Sequence, residues 1–431
     1  MQPASPAQAD PARAEAFLTD LAHALHRHGM PAYRIEDALT RVGRALGVQL
    51  QAFTTPTGLQ LAFGPLENQR LRLLRVEPGF VNLARVAALS ELIEDIVEEK
   101  LDATAASARL MIQEREALTH GRGSTLTAWA VASGTSAVFF GGGAQDAIAA
   151  SCIGLLVGWI AVLARKHDRI ARVFDVLASS LAASLAGLLH LLPWSISRDA
   201  VTLSAIVVLL PGYSFTVALN ELAAKHLSSG TARLGGVFTT LLMLVFGTAV
   251  GYTAIDIAER GVGPWFAHPA VPEWSSHALP TWMAWVALVL APLSYKVLFQ
   301  ARHRDTAIIV VAAVLAFLAA RLGARQFEAL DPERAKLAAP FGAGLGAFVL
   351  GVFSNLLARW RRLPAALSSV PGLLILVPGS TGFRSLSSFI GLRASDGTDP
   401  TDMLVGMVAI GVALVCGLLV ANVLLPSRRS L

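Results

Sequence analysis

The sequence predicts a polytopic α-helical membrane protein carrying an N-terminal cytoplasmic α/β domain, and three observations predict it. The 431 residues are 54% hydrophobic and only 15% charged, against about 25% charged in an ordinary soluble domain. The charge is unevenly spread. Residues 1–123 mix Arg, Asp and Glu densely, whereas the remainder alternates long apolar runs with charged edges. From Leu126 onward, apolar stretches of roughly 17–25 residues follow one another, each long enough to cross a ~30 Å hydrocarbon layer.

The N-terminal part reads as helices and short strands. Phe17, Leu18, Leu21 and Leu25 recur at helical spacing until Gly29–Pro31 stops the pattern. A second helix carries Ile35, Leu39, Val42 and Leu46 and ends at Gly47. Three strands, Val48–Phe53, Thr57–Phe63 and Arg70–Val76, are separated by Thr-Pro-Thr-Gly and Gly-Pro turns. Asn82 is placed to cap a helix reaching about Lys100, with another to about Thr119. The first 20 residues are polar and have no apolar core, which predicts no cleaved signal and a domain that stays in the cytoplasm. His23, His26 and His28 fall on a solvated helix face; no Cys or carboxylate stands at ligand spacing, so no metal is expected.

Ten spans are predicted, near 126–144, 146–164, 173–192, 199–222 and 234–257, then 281–300, 306–322, 338–357, 366–391 and 403–425. The longest loop, Ala258–Pro280, separates two membrane units, residues 124–258 and 281–431. Basic residues set the orientation. Arg165, Lys166, Arg169, Arg172, Lys225, Arg233, Arg302, Arg304, Arg359, Arg361, Arg362, Arg428 and Arg429 all fall inside if both termini are cytoplasmic. Trp265, Trp274 and Trp282 suit an outer interface. One outer loop breaks the rule, with Arg321, Arg325, Arg334 and Lys336 among acidic residues. The net charge of +5 thus serves membrane orientation, and no nucleic acid is expected. Cys152 and Cys416 lie in apolar runs and read as small membrane-buried residues, without a disulfide framework.

Five spans per half is an odd number, so the second half enters the membrane from the opposite side. The fourth span contains Leu210-Pro211-Gly212-Tyr213-Ser214, and the ninth contains Val377-Pro378-Gly379-Ser380-Thr381. Aligning the prolines brings the third span onto the eighth and the fifth close to the tenth. The pattern predicts two inverted five-helix repeats. Proline removes a helical hydrogen bond and glycine tolerates unwinding. In lipid such breaks persist only where protein or a water-filled cavity satisfies the backbone, and matched breaks point to a substrate site between them.

Candidate substrate-binding residues are therefore Pro211, Gly212, Ser214, Pro378, Gly379, Ser380 and Thr381, with Asn355 in the eighth span. Thr216 and Ser385 offer further hydroxyls. Arg384 follows the second break by about two turns and is read as a partner for a substrate carboxylate, against a snorkelling anchor. Asp175 and Glu221 are candidates for proton coupling, although both sit near span ends where a solvated edge charge is the plainer reading. Asp146 reads as an N-cap, and Gly342, Gly344, Gly346 and Gly351 as helix-packing positions. The chain has no phosphate-binding loop, nucleophile elbow or zinc-hydrolase motif, so neither an enzyme nor a cofactor is expected.

Leu25-His26-Arg27-His28-Gly29-Met30-Pro31-Ala32-Tyr33-Arg34-Ile35-Glu36, Phe53-Thr54-Thr55-Pro56-Thr57 and Arg75-Val76-Glu77-Pro78-Gly79 together resemble the threonine/serine exporter family. Phe140-Gly141-Gly142, Leu210-Pro211-Gly212, Ser229-Gly230…Arg233 and Val377-Pro378-Gly379 extend that resemblance over nearly the whole chain. It implies a proton-driven exporter of small hydrophilic amino acids, with a cytoplasmic domain fused to about ten spans in a bacterial inner membrane. Glu221 stands where the family leads one to expect Asp. Split two-chain relatives are linked to dicarboxylate export, so small dicarboxylates are the alternative substrate. A channel, or an anchor for an enzymatic N-terminal domain, is the reading from another class. The expected partners are the small substrate, protons and the bilayer, with a homo-oligomer allowed.

Overall fold

A computed structural model describes residues 11–77, 79–191, 196–262, 279–361, 363–392 and 399–426. Trp265, Trp274, Arg362, Arg428 and Arg429 lie outside the described residues.

Four helices and a three-stranded sheet make up the N-terminal part. Helices α1 (Pro11–Arg27) and α2 (Ala32–Ala45) are divided by Gly29, whose φ of 76° turns the chain. Strands β1 (Leu50–Thr55), β2 (Gly58–Phe63) and β3 (Arg70–Arg75) form an antiparallel meander in the order β1-β2-β3. Leu59, Leu61 and Phe63 alternate along β2 and are fully buried, so one sheet face meets the helices. Helix α3 (Leu83–Val97) is capped by Asn82, whose Oδ1 accepts from the Arg85 N–H at 3.1 Å. Asp102 caps α4 (Ala103–Arg115) in the same way. One apolar cluster joins α1, α2, β2, α3 and α4 through Phe17, Leu39, Leu61, Leu92 and Leu110. Of the three histidines, His26 donates to the Thr55 carbonyl and His28 to Glu114 at 2.7 Å. That bond from His28 holds the Glu114 carboxyl below its usual range.

The remainder is helical: α5 (Arg122–Phe139), α6 (Ala144–Ala164), α7 (Asp168–His190), α8 (Arg198–Ala205), α9 (Gly212–Ala223), α10 (Leu227–Val262), α11 (Thr281–Leu298), α12 (Thr306–Leu330), α13 (Ala338–Arg361), α14 (Ala366–Leu376), α15 (Gly379–Phe389) and α16 (Pro400–Leu424). Among the described residues, eight segments are long and apolar enough to cross a membrane, one of them α14 with α15. Helices α8 and α9 add a ninth if taken as one span bent by 51°. This is a multi-pass helical membrane protein. Helix α5 falls outside that set because Thr, Ser and Gly interrupt its apolar residues; it packs instead against α6 and α11.

Packing in the two halves follows one pattern. Helix α7 lies along α10 as α13 lies along α16, and α6 meets α8 as α12 meets α14. The partners then cross over: α9 packs on α16, and α15 on α10. Small residues make these contacts close. A Cβ on Gly417 of α16 would fall 2.2 Å from the Gly344 carbonyl of α13.

Several local expectations change. Arg321 and Arg325 belong to α12, which runs on to Leu330, so they are helix residues and not loop residues. In the short connection that remains, Arg334 pairs with Asp331 and Lys336 with Asp402 at 2.7 Å. Asp146 is the third residue of α6, not its cap: Gly143 holds the cap position, and the Asp146 carboxylate reaches back to the Gly143 N–H at 2.8 Å. Its other oxygen accepts from the Ser197 N–H at 2.7 Å, tying α6 to the start of α8. Cys152 and Cys416 are free and exposed on α6 and α16.

Candidate functional site

Proline cannot donate a main-chain hydrogen bond, so each Leu/Val-Pro-Gly segment interrupts its helix. Leu210 and Val377 are extended, with ψ of 123° and 136°, and Pro211 and Pro378 begin the helices that follow. The broken helices run in opposite directions. The C-terminal end of α9 and the N-terminal end of α14 both abut the N-terminal part, through Ala32 and Leu83. At the other end, Asp199 of α8 and Arg384 of α15 line one small pocket.

The two breaks touch. A Cβ on Gly212 would lie 3.1 Å from the Gly379 nitrogen, 3.2 Å from its Cα, and 2.0 Å from a Val377 methyl. Reciprocally, a Cβ on Gly379 would lie 3.2 Å from the Leu210 Cβ and 3.3 Å from the Gly212 Cα. No larger residue fits this crossing without moving one helix.

Beside the crossing lies a cavity of about 330 Å³. Gly212, Gly379 and Ser380 line it, as do three polar residues that the span pattern did not single out: Ser136 of α5, Tyr213 of α9 and Tyr295 of α11. Phe139, Phe140, Phe299 and Phe317 supply an aromatic wall. Arg321 of α12 is the only charged residue among the described lining residues. A second cavity, about 80 Å³, lies towards the N-terminal part and is lined by Pro31, Tyr33 and Arg34 together with Asn220, Asn355 and Asn422. Tyr213 borders both and stands between them.

Of the sequence candidates, Ser214 and Thr381 are half-buried beside the breaks but do not line the larger cavity. Asn355 belongs to the second cavity, where its Nδ2 donates to Asn422 at 2.7 Å. Thr216 donates to the Gly212 carbonyl and Ser385 to the Pro400 carbonyl. Arg384 does not line the larger cavity: its guanidinium lies 5.1 Å from the centre of the Phe140 ring, in a pocket shared with Asp199 and Tyr252. Phe140 itself lines the larger cavity. Asp175 is half-buried in α7 and lines neither cavity.

Glu221 is fully buried, not a solvated edge charge. Arg233 of α10 grips both carboxylate oxygens at 3.1 Å, Ser229 donates at 2.8 Å, and the Ala32 main-chain N–H donates at 3.0 Å. The start of α2 is thereby hydrogen-bonded into the membrane bundle. Asn220 donates to the Tyr33 hydroxyl at 2.9 Å, and His226 lies 3.5 Å from Glu36. A second attachment joins α3 to the α11–α12 connection, with Leu83 N–H on the Phe299 carbonyl and Arg302 on Glu91 at 2.8 Å. Span ends read from sequence cannot reveal such burial, because the covering residues come from a distant segment.

Interrupted helices that meet beside a largely apolar cavity with a few polar groups, inside a multi-pass bundle, are the architecture of a class, the membrane transporters. Residues 16–255 match the family model described as "Putative threonine/serine exporter", and residues 284–424 match "Threonine/Serine exporter, ThrE". The chain belongs to the threonine/serine exporter family.

Among curated proteins it is similar to pheromone-regulated membrane protein 10 of Eremothecium gossypii, 23% identical over 86% of this chain and 48% of that protein. The Kluyveromyces lactis protein of the same name is 23% identical over 94% of this chain and 42% of its own length. For the one from Candida albicans strain WO-1 the figures are 23%, 90% and 34%. The chain thus spans a third to a half of these relatives' length. No solved structure matches it.

The Glu221–Arg233 pair generates a stability prediction. Removing one partner strands a buried charge, a loss of roughly 3–5 kcal/mol. Glu221→Ala should lower the melting temperature of the detergent-solubilised protein, and Glu221→Ala with Arg233→Met should recover part of the loss. A double variant less stable than either single one would show that the pair is not a unit.

Proposed function

We propose that the chain is a proton-coupled exporter of threonine, serine or a similar small polar metabolite, and that the substrate binds where the two breaks cross. The contact between Gly212 and Gly379 at the edge of the larger cavity carries this reading. The mirrored packing of α5–α10 and α11–α16 supports ten spans arranged as inverted repeats, 124–258 and 281–431, with residues 1–123 as a separate domain. The basic residues near the N-terminal part, Arg302, Arg304 and Arg233 among them, support a cytoplasmic placement of that domain and of both termini, in a bacterial inner membrane.

In this reading the domain closes the inner end of the path. Tyr213 separates the two cavities, and Pro31, Tyr33 and Arg34 cover the inner one. Glu221, engaged by Arg233 and by α2, holds that closure. Asp175 has no ion-pair or hydrogen-bond partner for its carboxylate among the described residues and is the better proton carrier. Closure at one end beside a substrate-sized cavity is what alternating access requires of one of its states. Small dicarboxylates are the second reading, favoured by the lack of any Asp or Glu among the described lining residues to receive an ammonium.

In proteoliposomes with an imposed pH gradient, the full-length protein should accumulate labelled threonine or serine against its gradient. Gly212→Leu should insert normally but abolish accumulation, and Asp175→Asn should leave exchange intact while removing the response to the pH gradient. Flux indifferent to the gradient in the unaltered protein would mark a channel instead. Closure has its own test: Tyr33→Cys and Asn220→Cys, in a background with Cys152 and Cys416 replaced by Ser, are joined by a reducible thiol cross-linker. Transport should stop on linking and return on reduction; undiminished transport in the linked protein would remove the domain from the path.

A further inference from the structure

Arg321 presents a charge that the fold itself does not explain. It lies within α12, nine positions before the helix ends at Leu330, in a segment apolar enough to cross a membrane. Among the described residues it has no hydrogen-bond or ion-pair partner. A cation in a spanning segment is costly unless it faces a partner or a cavity. Its side chain is exposed: it lines the larger cavity and also borders a groove between α11 and α12 walled by Trp285 and Leu288.

The other arginines near the breaks are engaged elsewhere. Arg233 is held by Glu221, and Arg384 lies over the Phe140 ring. No carboxylate stands among the described lining residues to neutralise Arg321. The remaining polar groups are neutral hydroxyls, those of Ser136, Tyr213, Tyr295 and Ser380. Leu374, also in the lining, has a carbonyl whose usual donor four residues on would be Pro378, which has no N–H. The site therefore offers one cation, on an exposed side chain, and several neutral donors and acceptors.

We infer that Arg321 is the carboxylate receptor of the cavity, and that the substrates are small monocarboxylates or dicarboxylates bearing polar substituents, selected by that carboxylate. Guanidinium suits the task because its planar fork meets a carboxylate with two parallel hydrogen bonds. An ammonium group on the substrate would rest on hydroxyls and the Leu374 carbonyl, so it is tolerated but contributes less to selection. The inference rests on the cavity being the substrate site, and it adds which group on the substrate is read and by which residue.

The test is binding to the purified full-length protein, with L-threonine, succinate and threoninol, the alcohol that lacks the carboxylate, as probes. The unaltered protein should bind L-threonine or succinate, and threoninol should not compete. Arg321→Gln should weaken binding roughly tenfold to a hundredfold, as expected for loss of charged hydrogen bonds, and Arg321→Lys should restore part of it. Arg325→Gln, one turn further on and outside the larger cavity, should bind as the unaltered protein does. Equal binding by Arg321→Gln, competition by threoninol, or an equal loss in Arg325→Gln would overturn the assignment while leaving the cavity as the transport site. Failure of the unaltered protein to bind either acid would overturn both. Elution of each variant as a single folded species, with an unchanged melting temperature, keeps misfolding apart from lost recognition.

Discussion

Everything in the membrane half depends on one constraint: main-chain groups freed from a helix inside hydrocarbon need another partner or water. Pro211 and Pro378 each remove a donor, and each would be expensive alone. The fold places the two interruptions against each other, glycine on glycine, with a cavity at their side. Two costly local defects thereby share one site. The same contact explains why a small residue follows each proline, since any side chain at Gly212 would strike Val377.

The second organising feature is the attachment of the N-terminal part to the bundle. A buried carboxylate ordinarily requires a full set of partners, and Glu221 draws its set from two elements: α10 through Arg233 and Ser229, and α2 through the Ala32 N–H. Motion of α2 away from the bundle would remove one of those bonds and open Glu221 to water. The N-terminal elements are therefore joined to one end of the bundle by several bonds, not by a tether alone. The links from α3 to the α11–α12 connection brace the same docking from the other side.

Legibility in the sequence varied with the range of the interaction concerned. Alternating Leu59, Leu61 and Phe63 and the Asn82 cap are local signals, and the strands and the helix start fall within a residue or two of where those residues put them. The paired Pro-Gly breaks could be matched because each is punctuation within its own segment. Glu221 and Arg384 were harder, since the fate of a charge depends on what lies across from it. Glu221 is covered by a residue 189 positions away, and Arg384 is turned onto Phe140 by the packing of α15 against the first half. Arg321 was hidden for a different reason: it was counted with the loop after its span, whereas α12 continues past it.

The order of apolar runs, the breaks and the basic edges determined by themselves that this chain crosses a membrane many times and interrupts its helices at two related places. Those properties follow from composition and from main-chain chemistry within single segments, and they need no knowledge of neighbours. Which residues share the cavity, which arginine faces it and which carboxylate is buried were decided only by the tertiary structure. Side chains far apart in the chain are brought together by helix packing, and half a turn of a helix exchanges a cavity-lining group for one on the opposite face.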